Sequence, residues 1–262
     1  MRSFENKVVW ITGASSGIGE ALACKFSQEG AKVILSSRKK AALENVAERC
    51  AGNTVIQTLD YEKPEQFRAI SAQLVKDHGQ IDILINNGGI SQRSLAKDTD
   101  LSVIRKIMEI DFFGQVALTK AVMPHMLERK SGHLVAVSSI TGKFGFPLRS
   151  GYAAAKHALA GFYETLYFEL QSGGINVTTI FPGRIKTNIS LNAIDGKGNA
   201  HGQMDEGQAG GISAEKCANI ISKAILKRKK EVYPGGNEIL MVYFKRFLPG
   251  LFNRIASNIK PT

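Results

Sequence analysis

Short apolar runs alternate with longer helical patterns along most of the 262-residue chain, and this alternation limits the possible folds more than any other feature. The runs are rich in Val, Ile and Leu and lack strict polar–apolar alternation, which is typical of strands buried on both faces. The predicted strands are Val8–Thr12, Lys32–Ser36, Thr54–Leu59, Ile81–Asn86, His133–Ser138 and Asn176–Phe181. The predicted helices lie between them, near residues 18–29, 40–51, 64–78, 101–129 and 151–171.

Strands and helices that alternate at this spacing favour a Rossmann-like, doubly wound α/β fold, in which helices cover both faces of a parallel sheet. The sequence has no internal repeat, linker or low-complexity tract, so we predict a single domain over residues 1–262. Ligands of such sheets bind beyond the carboxyl ends of the strands. The residues that follow each strand are therefore the first candidates for a functional site.

The pattern weakens after the last of these strands. Residues 188–212 are rich in Gly, Asn and Ser, and a loop of this length within a compact domain is uncommon unless it covers a site. We therefore predict a substrate lid over these residues, called the lid segment below. A further helix is predicted from Ile212 to Lys229, with Ser213 as its N-cap.

The C-terminal segment, residues 239–259, places apolar residues at helical spacing with an interruption near Pro249–Gly250. The apolar residues are Leu240, Phe244, Phe247, Leu248, Leu251, Phe252, Ile255 and Ile259. Because Lys245, Arg246 and Arg254 also lie in this segment, we do not expect it to span a membrane. It packs over the substrate pocket or in a subunit interface, which are the plainer interpretations, or it lies on an anionic membrane surface.

The formal net charge of +11 admits three kinds of anionic partner, namely nucleic acid, lipid and a small ligand. Most basic residues are scattered among the predicted helices. The one dense run, Lys227–Lys230, fits the end of a helix, where cations interact favourably with the helix dipole. We therefore do not expect a nucleic-acid partner.

Cys24, Cys50 and Cys217 lie far apart in the sequence, and the five histidines show no metal-ligand spacing. This pattern argues against a disulfide framework and against a metal site. The N-terminus enters a predicted strand directly, without a secretory signal, so the expected location is the cytoplasm.

A glycine-rich loop joins the first strand to the first helix. Glycines allow a tight turn and a close approach of the backbone to a pyrophosphate, which then faces the N–H groups of the helix N-terminus. The position of the loop, directly after a strand and before a helix, is the context that this mechanism requires. The expected cofactor-binding residues here are Gly13, Ser15, Ser16, Gly17, Ile18 and Gly19.

The second strand is followed by Ser37, Arg38 and Lys39. An acidic residue at this position would bind the ribose 2′-hydroxyl of NAD, whereas it would repel a 2′-phosphate. The guanidinium of Arg38 instead offers a fork of donors to phosphate oxygens. The alternative is a solvated basic turn. We expect the cofactor to be NADP(H).

Tyr152 and Lys156 lie one turn apart near the start of a predicted helix, which places both side chains on one face. A neighbouring ammonium favours the phenolate, so a tyrosine in this pair can act as an acid or base near neutral pH. Ser139 ends the preceding strand, where its hydroxyl can hold a carbonyl oxygen beside the phenol. Tyr163 and Tyr167 on the same helix are interpreted as packing residues.

With these motifs, the sequence resembles the short-chain dehydrogenase/reductase superfamily over nearly its whole length. The motifs that carry the resemblance are Thr12–Gly19, Asn86–Gly89, Ser138–Ser139 with Tyr152 and Lys156, and Pro182–Thr187. The stretch from His133 to His157 and the ending Arg246–Phe252 resemble the branch of dehydrogenase/reductase family members 7 and 7B.

The resemblance implies a role for each matching position. Tyr152 would exchange a proton with the substrate oxygen, Ser139 would orient that oxygen, and Lys156 would bind the nicotinamide ribose. Asp60 and Tyr61 would border the adenine. The remaining implied cofactor contacts are Asn87, Gly88, Gly89, Pro182, Gly183, Ile185 and Thr187.

Two positions depart from the family pattern. Gly88 replaces an alanine, and the loss of one methyl group is expected to matter little. Asp111 replaces the catalytic asparagine that helps to hold a water linking the lysine to solvent. Asp111 either holds that water through its backbone carbonyl, with a water between its carboxylate and Lys156, or pairs with Lys156 and reduces activity. We favour the first alternative and a working site.

The expected function is hydride transfer between NADP(H) and a lipophilic ketone, aldehyde or secondary alcohol. The sequence leaves two alternatives open: a catalytically weak NADP(H)-binding regulator and a peripheral membrane protein. We expect the protein to form a homodimer or homotetramer.

Overall fold

The computed structural model describes residues 4–258. Each strand from the first to the sixth is followed by helical structure that returns the chain to the start of the sheet. The elements are β1 (Val8–Thr12), α1 (Gly17–Gln28), β2 (Lys32–Ser36), α2 (Lys40–Arg49), β3 (Thr54–Ile56), α3 (Phe67–His78), β4 (Ile83–Asn86), α4 (Leu101–Met108), α5 (Gly114–Glu128), β5 (Gly132–Val137), α6 (Ser150–Leu170), β6 (Ile175–Ile180), β7 (Ile185–Lys186), α7 (Glu206–Ala209), β8 (Ile212–Ser213), α8 (Ala214–Leu226), β9 (Glu231–Val232), α9 (Leu240–Phe247) and α10 (Pro249–Ala256).

Seven of these strands form one parallel sheet in the order β3-β2-β1-β4-β5-β6-β9. One apolar core lies between the sheet and α1, α2 and α8, and a second lies between the opposite face and α3, α5 and α6. The direction of winding reverses between β1 and β4, which opens a crevice at their carboxyl ends. The predicted doubly wound α/β fold is confirmed.

Several predicted boundaries were wrong. The strand predicted over Ile81–Asn86 begins only at Ile83, because the side chain of Asp82 accepts the Val8 N–H at 2.8 Å in place of a main-chain partner. The helix predicted over 101–129 is two helices joined by a π-helical turn, Glu109–Phe113. The seventh strand, Glu231–Val232, was missed because two residues carry no periodicity.

The lid segment is more ordered than its composition predicts. It contains α7 and a parallel bridge between Gln92 and Ile194, and it ends in β8, which pairs with β7. The C-terminal segment forms two short helices that meet at Leu248, next to the predicted break. Ile259, predicted to belong to this segment, lies outside the described residues.

Within the part of the chain that the structure describes, no helix is long and apolar enough to cross a membrane. Phe252 of α10 is buried and packs edge-on against Phe144, with ring centroids 5.3 Å apart. Leu240, Tyr243 and Phe247 of α9 remain exposed. The C-terminal segment therefore packs over the pocket through α10, as the sequence suggested, while one face of α9 is uncovered in the single chain.

Candidate active site

A cavity of about 1070 Å³ opens at the carboxyl edge of the sheet. All but one of the predicted site residues line it, including Ser139, Tyr152, Lys156 and Asp111. The predicted cofactor contacts on its wall are Gly13, Ser15, Ser16, Gly17, Ile18, Ser37, Arg38, Lys39, Asp60, Tyr61, Asn87, Gly88, Gly89, Tyr152, Lys156, Pro182, Gly183, Ile185 and Thr187. Residues from distant parts of the sequence are thus brought to one place.

Gly19 is the exception. It is buried behind the loop, where a Cβ atom would overlap the carbonyl oxygen of Gly13 and lie 2.6 Å from Asn87 Nδ2. Gly19 therefore permits close packing of α1 on the loop, and it does not line the cavity itself.

The glycine-rich loop has the conformation that its sequence requires. Gly13 and Gly17 have φ angles of +62° and +58°, which L side chains adopt only with strain. A Cβ at Gly17 would also lie 3.0 Å from Thr187 Cγ2. The N-cap residue of α1, Ser16, makes no side-chain capping bond, so the first-turn N–H groups are left for a ligand. These features fit the pyrophosphate of a dinucleotide.

Asn87 fastens this loop to the next strand. Its Nδ2 donates to the carbonyl oxygens of Thr12 and Gly13 at 3.1 and 3.3 Å, and its main-chain N–H donates to Thr12 Oγ1 at 2.9 Å. The residue was predicted as a cofactor contact. Its hydrogen bonds give it a second role, which is to hold the loop in the correct conformation.

Gly88 lies against the ring of the buried Tyr61. The hydroxyl of the buried Tyr61 lies 2.6 Å from Thr12 Oγ1 and donates to Asn86 Oδ1 at 2.9 Å. A Cβ at Gly88 would lie 3.0 Å from Tyr61 Cε2, so the alanine of the family pattern would crowd this ring. An alanine would require the Tyr61 ring to move by a few tenths of an ångström, and the small importance of the missing methyl stays a prediction.

The basic residues after β2 lie at the far end of the cavity. Arg38 is exposed, and its Nη1 lies 4.0 Å from Glu62 Oε2, at the limit of an ion pair. Ser37 Oγ donates to the main-chain oxygen of Lys39 at 3.5 Å. The exposed guanidinium can therefore reorient toward a ligand phosphate at small cost.

Ser139 and Lys156 are fixed by β5 and α6. Ser139 Oγ accepts the Thr141 N–H at 3.2 Å, which leaves its own proton available for donation to a ligand in the cavity. Lys156 is buried, donates to the Val137 carbonyl oxygen at 3.2 Å, and lies with Nζ 5.6 Å from the centre of the Tyr152 ring. The cation and the phenol are therefore neighbours, as their spacing predicted.

Asp111 pairs directly with Lys156. The π-helical turn places its Oδ2 3.1 Å from Lys156 Nζ, and its Oδ1 accepts the Ile90 N–H at 2.8 Å. The expectation that a water separates the two charges was wrong, because the carboxylate is fully buried against the ammonium.

The pKa values of this pair reflect both burial and attraction. Burial raises the pKa of Asp111 against the opposing effect of Lys156. Burial lowers the pKa of Lys156, but the charges of Asp111 and Tyr152 outweigh it, so that its pKa is raised. Lys156 therefore remains a cation at neutral pH, with Asp111 as its partner.

Gln92, which the sequence analysis missed, positions the catalytic helix. Its Oε1 accepts the N–H groups of Gly151 and Tyr152 at 2.8 and 3.4 Å, and its Nε2 donates to Ser94 Oγ and Thr99 Oγ1 at 3.1 and 3.0 Å. Gln92 thus caps α6 from another part of the chain. The only available signal was the poor capping residue of α6 itself, Arg149.

A buried ionic cluster, also missed, holds the lid segment at the cavity. Asp205 accepts from Arg93 Nη2 at 2.6 Å and from Arg149 Nη2 at 2.8 Å. The side chains of Arg93 and Asp205 are 3% and 6% exposed. Burial, followed by the charge of Arg93, lowers the pKa of Arg149 to about 10. No local pattern could reveal a contact between residues 112 positions apart.

The rest of the cavity combines a group of apolar side chains with polar and charged ones such as Arg149, Asn192 and Asp205. Its walls come from the lid segment and the C-terminal helices, both predicted to cover the pocket, and from the loop over residues 140–150. The apolar side chains from these segments are Ile140, Phe144, Phe146, Ile189, Leu191, Ile194, Ala200, Met241 and Ala256. Among the described residues, no group of His, Cys, Asp and Glu side chains is placed to hold a metal ion.

The family model and the relatives that match this chain all belong to one family. The family model described as short chain dehydrogenase matches residues 7–197. Dehydrogenase/reductase SDR family member 7B of Mus musculus is 42% identical over 97% of this chain and 81% of its own length. Dehydrogenase/reductase SDR family member 7 of Homo sapiens is 40% identical over 92% of this chain and 74% of its own length.

Comparison with solved structures finds proteins with the same fold. A short-chain dehydrogenase from Streptomyces avermitilis superposes with a TM-score of 0.83 and 28% identity over 97% of this chain and 98% of its own. A short chain dehydrogenase/reductase from Burkholderia phymatum, solved in complex with NAD, shares the fold with a TM-score of 0.83 and 22% identity, over 100% of this chain and 98% of its own.

Members of this family bind a nicotinamide cofactor, act on small-molecule substrates and commonly oligomerise. The matched region contains the glycine-rich loop, Ser139, Tyr152 and Lys156. The chain belongs to the short-chain dehydrogenase/reductase family, in the branch of members 7 and 7B, and is an oxidoreductase that acts on CH–OH and C=O groups.

Proposed function

We propose that this protein transfers hydride between NADP(H) and the carbonyl or alcohol carbon of a lipophilic ketone, aldehyde or secondary alcohol. The observation that carries the proposal is the meeting of Tyr152, Lys156 and Ser139 with the glycine-rich loop in one cavity. Reduction is the direction we propose for the cell. The apolar walls contributed by the lid segment and the C-terminal helices favour a lipophilic substrate.

The nicotinamide ring, when bound, supplies or accepts the hydride. Ser139 Oγ donates a hydrogen bond to the substrate oxygen and holds it beside Tyr152. In reduction the phenol of Tyr152 gives its proton to that oxygen, and in oxidation it takes the proton back. The ammonium of Lys156 stabilises the phenolate that remains after reduction, and Asp111 holds this ammonium in place.

Cofactor selection rests on Arg38, whose removal provides its test. Loss of a charged contact to a 2′-phosphate costs about 1.5–3 kcal/mol, so Arg38→Ala should weaken NADPH binding about ten- to hundredfold and leave NADH binding nearly unchanged. Lys40→Ala is the matched control, because Lys40 is an exposed cation at the start of α2, two positions from Arg38, and does not line the cavity. Equal losses for both nucleotides would contradict NADP(H) selection.

The activity is tested by an NADPH-oxidation screen over aldehydes, ketones, steroids and retinoids, followed by Tyr152→Phe. This change keeps the ring but removes the transferable proton, so turnover should fall at least about 100-fold while NADPH affinity is retained. Tyr167→Phe, on the same helix but outside the cavity wall, should keep full turnover. Substantial turnover in Tyr152→Phe would contradict the proposal that Tyr152 transfers the proton.

A second candidate is an NADP(H)-binding regulator with weak catalysis. The observation that favours it is the direct pairing of Asp111 with Lys156. The negative charge of Asp111 weakens the electrostatic stabilisation that the Lys156 ammonium gives to the phenolate of Tyr152. The screen separates the two candidates: tight NADPH binding without turnover on any class of carbonyl would favour the regulator.

A further inference from the structure

Two of the three cysteines, far apart in the sequence, touch in the fold. Cys50 Sγ lies 3.8 Å from Cys24 Sγ, although 26 positions separate the residues. Both cysteines are free thiols and both are partly exposed. Cys24 lies on α1, and Cys50 is the residue that ends α2. The sequence spacing, which argued against a disulfide framework, gave no sign of this pair.

The contact is a consequence of how α1 and α2 are joined. Glu20 and Cys24 lie one turn apart on the same face of α1, and Arg49 and Cys50 are consecutive at the end of α2. Arg49 Nη1 lies 2.5 Å from Glu20 Oε1, which brings the two thiols together one turn further along α1. The ion pair and the thiol pair therefore lie side by side across the same helix contact.

The local structure allows the sulfur atoms to approach further. A disulfide requires the sulfurs to be about 2.05 Å apart, so they must move together by about 1.8 Å. Cys50 has extended backbone angles, and residues 51–53 that follow it are exposed and outside any helix or strand. A shift of this size can be taken up by that turn without moving β2 or β3.

We propose that Cys24 and Cys50 form a reversible intramolecular disulfide when the protein meets a two-electron oxidant such as hydrogen peroxide. One thiol, as its thiolate, attacks the peroxide O–O bond, becomes a sulfenic acid and releases hydroxide, which a proton converts to water. The sulfur of the second thiol then attacks the sulfenic sulfur, so that the S–S bond forms and a second water leaves. The two thiols lose two electrons and two protons in total, and the peroxide is reduced to two waters.

The bond would stabilise the nucleotide-binding part of the protein without blocking it. It closes a loop that contains β2 and Arg38, and closing a loop lowers the entropy of the unfolded chain. None of the described residues that line the cavity is a cysteine, so NADPH binding should be unaffected. Burial, followed by the charge of Cys24, raises the pKa of Cys50 to about 12, and the reaction should therefore be faster at alkaline pH.

Cys217 is the internal control. It is fully buried on α8, whereas Cys24 and Cys50 are partly exposed. It should take no part in the reaction.

The test treats the reduced full-length protein with hydrogen peroxide at pH 7 and pH 9 and blocks remaining thiols with N-ethylmaleimide. Intact mass and peptide mapping then follow. We expect the loss of two hydrogens, a Cys24–Cys50 cross-linked peptide that forms faster at pH 9, and its reversal by dithiothreitol. Cys217→Ser should retain the cross-link, whereas Cys24→Ser and Cys50→Ser should lose it.

Thermal unfolding supplies a second measurement. The oxidised wild type should unfold about 5–10 °C above the reduced form, and the shift should vanish in the Cys24→Ser/Cys50→Ser double variant. Thiols that stay reduced at both pH values, single thiols oxidised to sulfinic acid without a cross-link, or disulfides formed only between molecules would each overturn the proposal. None of these outcomes depends on the proposed catalytic activity.

Discussion

The two ends of the cavity are built by different physical means. At the nucleotide end, the loop is set by the left-handed conformations of Gly13 and Gly17 and by hydrogen bonds from Asn87 to main-chain oxygens. At the substrate end, the lid segment is held by the ion pairs of Asp205 with two arginines, both largely buried. Backbone conformation determines the first end, whereas the second adds long-range ion pairs between side chains to its main-chain bridges.

This difference explains how the two ends respond to change. The loop conformation follows from consecutive residues and main-chain groups, so most side-chain substitutions leave it intact while an added Cβ does not. The lid segment is held by main-chain contacts such as the Gln92–Ile194 bridge and by the buried ion pairs of Asp205, so a substitution at Asp205 can loosen it. We therefore expect substitutions at the two ends to separate cofactor affinity from substrate affinity.

The largest effect is expected at Asp205. Asp205→Ala leaves Arg93 buried without its partner, and breaking a buried pair in this way costs about 3–5 kcal/mol. Because the lid segment is peripheral to both cores, the cost should appear as local opening, with faster hydrogen exchange over residues 188–212. The KM for the carbonyl substrate should rise at least about 100-fold at constant NADPH affinity.

Asp100→Ala is the matched control for this prediction. Asp100 also holds the lid segment, through Lys197 Nζ at 2.9 Å, but both side chains are exposed. Exposed pairs contribute little, so KM should change by about twofold or less. A comparable loss in the two variants, or a loss of NADPH affinity in Asp205→Ala, would contradict the division between the ends.

The second prediction concerns Gly19, at the nucleotide end. In Gly19→Ala the added Cβ overlaps the Gly13 carbonyl oxygen, and the loop must shift. Overpacking of this kind costs about 1–3 kcal/mol, so NADPH affinity, measured by fluorescence titration, should fall about five- to hundredfold. Once NADPH is saturating, the substrate KM should be unchanged.

Gly161→Ala tests whether the loss of NADPH affinity in Gly19→Ala comes from the steric overlap of the added Cβ. Gly161 lies inside α6, and a Cβ there would meet no atom within 4 Å. The substitution should raise the free energy of unfolding by about 0.5–1 kcal/mol and leave NADPH affinity unchanged. A similar loss of affinity in both variants would mean that Gly19 acts through helix stability and not through the loop.

The features that the sequence could predict are those set by residues close together in the chain, as at the nucleotide end of the cavity. The parallel sheet, the glycine-rich loop and the pairing of Tyr152 with Lys156 all depend on short spacings and alternation, and the structure agrees with them. The role of Gln92 and the Arg93–Asp205 contact were missed because each joins segments that the fold alone brings together. The direct Asp111–Lys156 pair was the less favoured of two alternatives, because a π-helical turn changes the direction of a side chain without changing the sequence pattern.

Asp111 lies between the two ends and is expected to show the smallest of the three effects. Asp111→Asn removes the negative charge 3.1 Å from Lys156 Nζ, so that Tyr152 experiences the full charge of the ammonium. The phenolate is then favoured, and alcohol oxidation with NADP⁺ at pH 7 should accelerate about tenfold. The pH–rate profile should move about one unit toward lower pH.

The substitution can also change the protonation of Lys156, and this second effect decides how the result is interpreted. The charge of Asp111 is a main cause of the raised pKa of Lys156, while burial acts to lower it. If the variant lysine loses its proton near neutral pH, the rate should fall and the profile should move to higher pH instead. The Val137 carbonyl is retained as an acceptor and favours a protonated lysine, whereas the single amide oxygen can serve either Lys156 Nζ or the Ile90 N–H. Glu109→Gln removes a charge from the same π-helical turn without touching the cavity wall and should change neither rate nor profile. A gain in Asp111→Asn alone would show that the native carboxylate restrains the site, and a loss would show that it sustains the lysine charge on which Tyr152 depends.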